Sequence, residues 1–192
     1  MKFAKLISAI SSPFIVLSVF GLWVIAFYSS SSRDFLIFGS SFVILTVLAP
    51  FLYVLAGVKS GKLSDLHIAV REQRDKPFLV AIFGTLLLIL AYSLERAPTQ
   101  LLDLAIIMLI NGIVFYFITR YWKISIHAAA FLGSVIIVGI LIDKSWLYLS
   151  LLLPLIIWAR IKRQKHDVGQ ALLAALVVAL VILAVAYLMS LI

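Results

Sequence analysis

Apolar residues in this chain come in long runs broken by short polar stretches, and those runs predict its elements. Ile7 to Tyr28, Phe35 to Leu55, Phe78 to Leu94, Leu101 to Thr119, Ser125 to Ile142, Trp146 to Ala159 and Val168 to Ile192 are each dominated by apolar side chains. Most are roughly 17 to 22 residues long, about what crosses a ~30 Å hydrocarbon core at ~1.5 Å per residue. Lipid offers no water to the backbone, so each run must satisfy its own peptide groups as a helix. The pattern predicts an all-α polytopic transmembrane bundle of seven spans. Six is the alternative, because the sixth run is short and contains Pro154. The single membrane domain subdivides into a two-helix hairpin over 1–56, a polar loop over 57–77 and core helices over 78–192.

Composition agrees with a lipid solvent. Of 192 residues, 65% are hydrophobic and 12% charged, and the mean hydropathy is +1.21, more apolar surface than a water-soluble fold can hide. The Met-Lys-Phe-Ala-Lys start imitates a secretory signal, but the apolar stretch is long and no clear small-residue cleavage site follows, so it reads as an uncleaved helix. With no cysteine, disulfides and thiolate metal sites are excluded.

Charge gives the bundle a polarity. Seven spans put thirteen of the sixteen Lys and Arg residues on one side, leaving Arg33, Arg96 and Lys144 on the other, each beside an acid. The positive-inside rule makes the basic side cytoplasmic and the tail external, and a prokaryotic plasma membrane is the expected location. The formal charge of +8 is carried by short loops at a membrane surface, which favours anionic lipid headgroups over nucleic acid as partners. His67, His127 and His166 all fall on the same basic side.

Three clusters on that side carry candidate chemistry. In the loop from Gly57 to Pro77, Ser64 is placed to cap a short helix from Asp65 to about Arg74, on which His67, Arg71 and Arg74 share one face. A basic face of this kind suits phosphate. The second cluster is Lys123-Ile124-Ser125-Ile126-His127, where Lys123 and Ser125 can hold an anion and His127 can supply a proton, although a capping serine with an interfacial histidine reads equally well. In the third, Arg160 is followed by five residues, His166, three residues and Gln170. If a helix begins near Asp167, Gln170 lies one turn beyond His166 and can hold one imidazole nitrogen so that the other presents its lone pair.

These residues resemble the type 2 phosphatidic acid phosphatase superfamily, membrane lipid phosphatases with an active site like that of vanadium haloperoxidases. Its motifs are Lys-x6-Arg-Pro, Pro-Ser-Gly-His and Ser-Arg-x5-His-x3-Asp. Here the third reads Ala159-Arg160, five residues, His166, three residues, Gln170; the second reads Ile124-Ser125-Ile126-His127. The first is His67, six residues, Arg74, with Pro77 two residues late. The resemblance spans about Lys59 to Ala175 and departs from the family most at Gln170, which stands where the family has aspartate. It also leaves His67 or Arg71 in the place of a lysine, and Ile124 and Ile126 in place of proline and glycine.

The resemblance implies a metal-independent phosphatase with no cofactor. His166 would attack the phosphorus of a lipid phosphate, His127 would protonate the leaving alcohol, and Arg160, Ser125, Lys123 and Arg74 or Arg71 would hold the phosphoryl oxygens. A carboxylate behind the nucleophile stabilises the imidazolium, whereas the Gln170 amide only orients the ring, so slow turnover or help from Asp65 or Asp167 is expected. Two other readings stay open: a silent relative that binds or moves anionic lipid, and a prenyl transferase, for which paired Asp-rich motifs are missing. Asn111 is expected to make an interhelical hydrogen bond, and Gly133, Ser134 and Gly139 to permit close helix packing.

Overall fold

The computed structural model of the protein describes every residue except His67 and Ala69. Among the described residues it is helical with no strand. The elements are α1 (Lys2–Ile10), α2 (Pro13–Tyr28), α3 (Ser32–Phe42), a π-helical turn (Val43–Leu48), α4 (Ala49–Lys59), α5 (Asp75–Leu94), α6 (Thr99–Tyr121), α7 (Ile126–Leu141), a 3₁₀ segment (Lys144–Leu152), α8 (Leu153–Lys162) and α9 (Val168–Leu188). Among the described residues, five helical runs are long and apolar enough to cross a membrane, six if α1 and α2 count as one bent span. The chain is thus an all-helical protein with the composition of a membrane protein. Each of the seven apolar runs falls on helix, but α7 has only 16 residues, about 24 Å of rise.

Two compact units are formed, one from Met1–Val24 with Lys123–Ile192 and a second from Ile25–Trp122.

In the first unit α7 packs along α9, and α1 lies against α8. The backbone N–H of Ser125 donates to the Gln170 carbonyl at 3.3 Å, so α7 and α9 start side by side and run parallel. Their closeness further along depends on Gly133: a Cβ there would sit 2.8 Å from a Val178 methyl. Small residues matter at such a seam because apolar lipid gives helices no solvent-driven reason to associate, and packing must supply it. Val16, Phe131, Val135 and Ile156 form the buried centre.

The run expected to be short is lengthened by its geometry. Lys144–Lys162 is one helical stretch of 19 residues, and its first nine are 3₁₀. At ~2.0 Å per 3₁₀ residue and ~1.5 Å per α residue it reaches roughly 33 Å. Pro154 sits at the start of α8, where a missing N–H costs little. Arg160 and Lys162 consequently belong to the last turn of a helix.

The first apolar run differs from expectation. It is two helices bent by 44°, because Ser11-Ser12 ends α1 and Pro13 starts α2. The short α1 buries Ala4 and Ser8, one turn apart, and carries Phe3 to within 6.0 Å of the Trp158 ring.

In the second unit α5 packs against α6, α4 and the π turn. Pro50, one residue into α4, cannot donate and would crowd the Thr46 carbonyl in a regular helix. The ladder widens instead, and the Ala49 N–H reaches back five residues to the Ile44 carbonyl. Leu45 in this turn packs its carbonyl onto Gly84, where a Cβ would collide with the oxygen. The buried Tyr92 hydroxyl donates to the Phe38 carbonyl at 3.0 Å.

Two further expectations are corrected here. No α-helix forms over Asp65 to Arg74: among the described residues of that stretch, only Arg71–Gln73 make a 3₁₀ turn, and Ile68 sits at φ 46°. Ser64 does not cap; its N–H donates to Gln73 Oε1 at 2.9 Å. Leu66 and Val70, which a helix here would set on one face, are exposed, so no packing offsets the cost of nucleating so short a helix. Asn111 likewise makes no hydrogen bond across helices; its amide donates to the Ile107 carbonyl in its own helix at 2.9 Å.

Candidate functional site

The third sequence cluster is built by the end of α8, a tight turn and the start of α9. The turn closes with Gln164 N–H on the Ile161 carbonyl at 2.8 Å and Lys165 N–H on the Arg160 carbonyl at 3.1 Å. This is a Schellman arrangement with Gln164 at φ 53°, a conformation usually left to glycine. The reversal sets His166 directly ahead of α9. Asp167 caps that helix, its Oδ1 accepting from the Gln170 N–H at 2.7 Å, which commits the acid nearest the histidine to the backbone.

His166 is 8% exposed, and its Nδ1 lies 2.9 Å from Gln170 Oε1. An amide oxygen can only accept, so this pairing places the proton on Nδ1, the tautomer in which Nε2 carries the lone pair that a nucleophile requires. Gln170 also links the second cluster through its carbonyl, which accepts from Ser125. Ser125 is buried and occupies the N-cap of α7, its Oγ accepting from the Ala128 N–H at a long 3.5 Å. His127, the second residue of α7, is 3% exposed; Lys123 is half-buried just before the helix. The N-termini of two parallel helices therefore meet at this cluster, where the positive ends of both helix dipoles favour negative charge.

Arg160 is 3% exposed and donates from Nη1 to the Ser8 hydroxyl at 2.6 Å. Arg163 donates from its own Nη1 to the same oxygen at 2.8 Å. Two guanidiniums this close repel by a few kcal/mol at an effective dielectric of about 20. The first unit contains only two acids, Asp143 and Asp167. Asp143 caps the 3₁₀ segment, accepting from the Ser145 N–H at 2.8 Å; hydrogen bonds from Ser145, side chain and backbone, hold its carboxyl below the usual carboxylate range.

Sequence reasoning passed over Ser8 and gave Arg163 only a topological role. The available signal was the Ala4-x3-Ser8 spacing, small residues on one helical face, which marks a close helix contact.

The first cluster belongs to the second unit. Arg71 donates from Nη1 to the Tyr121 carbonyl at 2.7 Å and pairs with Glu72 at 2.9 Å, so it caps the exposed end of α6. Arg74 is 4% exposed and donates from Nε to the Ile68 carbonyl at 3.0 Å. His67 lies outside the described residues. Asp65, considered as a substitute acid, belongs to this unit as well. Among the described residues no three His, Asp or Glu side chains group to hold a metal ion.

No family model, characterised protein or solved structure matches this chain.

Proposed function

We propose that the protein is an integral membrane lipid phosphatase that hydrolyses a phosphate or diphosphate monoester, of phosphatidate or prenyl type, through a phosphohistidine. The observation that carries this reading is the His166 Nδ1 to Gln170 Oε1 hydrogen bond of 2.9 Å in the same unit as the buried guanidinium of Arg160. His166 Nε2 attacks the terminal phosphorus in line, and its bond to the leaving oxygen, that of the lipid alcohol or, in a diphosphate, of the lipid monophosphate, breaks with the electron pair on that oxygen. His127 supplies the proton to the departing alcohol and takes one from the water that then cleaves the P–N bond, releasing phosphate and restoring His166. Arg160, Lys123 and Ser125 hold the equatorial oxygens, for catalysis here is positioning and charge stabilisation. Taking each of the seven apolar runs as a span, the excess of Lys and Arg puts the basic loops in the cytoplasm; reporter fusions at the two termini, giving opposite sides, test that count and orientation. The activity is tested by phosphate release from a lipid phosphate in detergent with chelator present. Turnover that vanadate inhibits and His166→Ala abolishes is expected; undiminished turnover in that variant overturns the reading.

One observation favours a second reading, a silent relative that binds or moves anionic lipid. The partner of His166 is a neutral amide, and Asp167 is committed to capping. That reading requires lipid phosphate binding with no turnover, and turnover dependent on both His127 and His166 excludes it.

A further inference from the structure

Ser8 accepts from both Arg160 and Arg163, at 2.6 and 2.8 Å. The two Nη1 atoms are therefore within about 5.4 Å of each other, the sum of those two bonds. Both lone pairs of the hydroxyl oxygen are occupied, so its own O–H remains as a donor beside two planar cationic forks. Ser8 is fully buried and Arg160 nearly so, while Arg163 is half-buried at the end of α8. The break at Ser11-Ser12-Pro13 frees α1 to bend away from α2 and pack on α8, and it is this that carries Ser8 to the arginines. A site with two fixed positive charges and a hydroxyl donor fits a ligand with two negative charges and several terminal oxygens. A phosphate monoester has both. A phosphodiester, the form of bulk membrane lipid, has one charge and only two free oxygens.

We infer that Ser8 and Arg163 complete, with Arg160, a clamp that selects a dianionic terminal phosphate over a phosphodiester. Arg160 binding a phosphate belongs to the function proposed above, on which this inference rests; the selection by Ser8 and Arg163 does not. Ser8 acts as a positioning residue that holds two like charges at one spacing, and Arg163 supplies the second charge. In a membrane crowded with diesters, such a clamp keeps the site clear for the rarer monoester.

The test is binding rather than turnover, on the full chain in detergent at pH 8 and constant ionic strength. The probes are monomethyl phosphate, a dianion there because its second pKa is about 6, and dimethyl phosphate, a monoanion. The native chain should bind the monoester at least about tenfold more tightly, since two charge-assisted forks replace one. Arg163→Gln should bring the ratio of the two affinities close to one. Ser8→Ala should lower it and Ser8→Thr should restore it. A general structural defect weakens both probes together and leaves the ratio alone, and Arg163→Gln keeps the test decisive should Ser8→Ala fail to fold. A ratio near one in the native chain, no monoester binding to it, or an unchanged ratio in Arg163→Gln overturns the clamp. Discrimination without any turnover would leave the clamp standing and refute the phosphatase; His166-dependent turnover with a ratio unmoved by Arg163→Gln would do the reverse.

Discussion

Each unit carries eight Lys and Arg residues, but the acids divide unequally, two in the first unit and six in the second. In the second, arginines meet carboxylates and carbonyls: Arg71 meets Glu72 and the Tyr121 carbonyl, and Arg120 lies 3.5 Å from Asp75. In the first, Arg160 and Arg163 converge on a neutral hydroxyl, and both acids hold backbone N–H groups at helical starts. The same residue type thus stitches loops in one unit and concentrates positive charge in the other. Basic residues near a membrane carry no function by their number; what they face decides it.

The contrast between the two units should show most strongly in paired arginine substitutions. Arg160→Ala should lower kcat by about 10² to 10³, the usual cost of removing one donor to a developing oxyanion. Arg71→Ala, which loses an exposed ion pair and one cap, should stay within about fivefold, or about 1 kcal/mol of stability. Equal losses in the two variants, measured as phosphate release and thermal unfolding in detergent, would move the loop arginine into the chemistry.

Next in size is the residue behind the nucleophile. Gln170→Ala should cost about 10- to 100-fold in turnover, as for other groups that orient a histidine from behind. Gln170→Glu keeps the reach and adds the charge that steadies an imidazolium, so its turnover should exceed that of the native chain. A Gln170→Ala protein with native turnover would show that the amide orients nothing of consequence.

Packing comes third. Gly84→Ala forces a methyl into the Leu45 carbonyl, part of the backbone of a π turn that cannot rotate away, and should cost about 1–3 kcal/mol. Gly133→Ala meets the Val178 methyl and the Ile182 side-chain tip, 2.8 and 3.3 Å from the new Cβ, which can shift. Its cost should be the smaller of the two, read as the difference in unfolding midpoint. Smallest is Gln164→Gly, expected to raise stability by about 1 kcal/mol by removing a left-handed Cβ. A fall in stability there would mean that the Gln164 side chain makes a compensating contact.

The helices were legible in the sequence because lipid enforces one periodicity and one solution for the backbone. The spacing from His166 to Gln170 was legible for the same reason: a helix beginning at Val168 fixes what stands one turn on. Three features were not. The loop before α5 contains residues that accept helix, but Leu66 and Val70 find nothing to pack against. The break at Ser11-Ser12-Pro13 was visible as residues, but an apolar run outweighs a proline when only hydropathy is counted. Ser8 lies more than 150 positions from Arg160 along the chain, and a pairing that distant leaves no local pattern to read.

If His166 is the nucleophile, a phosphorylated intermediate can be trapped on it. A ³²P-labelled lipid phosphate mixed with the detergent-solubilised chain and quenched in alkali should leave label on the protein that is stable to base and lost in acid, as a phosphoramidate is. The label should vanish in His166→Ala and form slowly in His127→Ala, which loses both the proton for the leaving alcohol and the base for water. Label retained in His166→Ala, or full turnover by that variant with no label at any time point, would contradict the account.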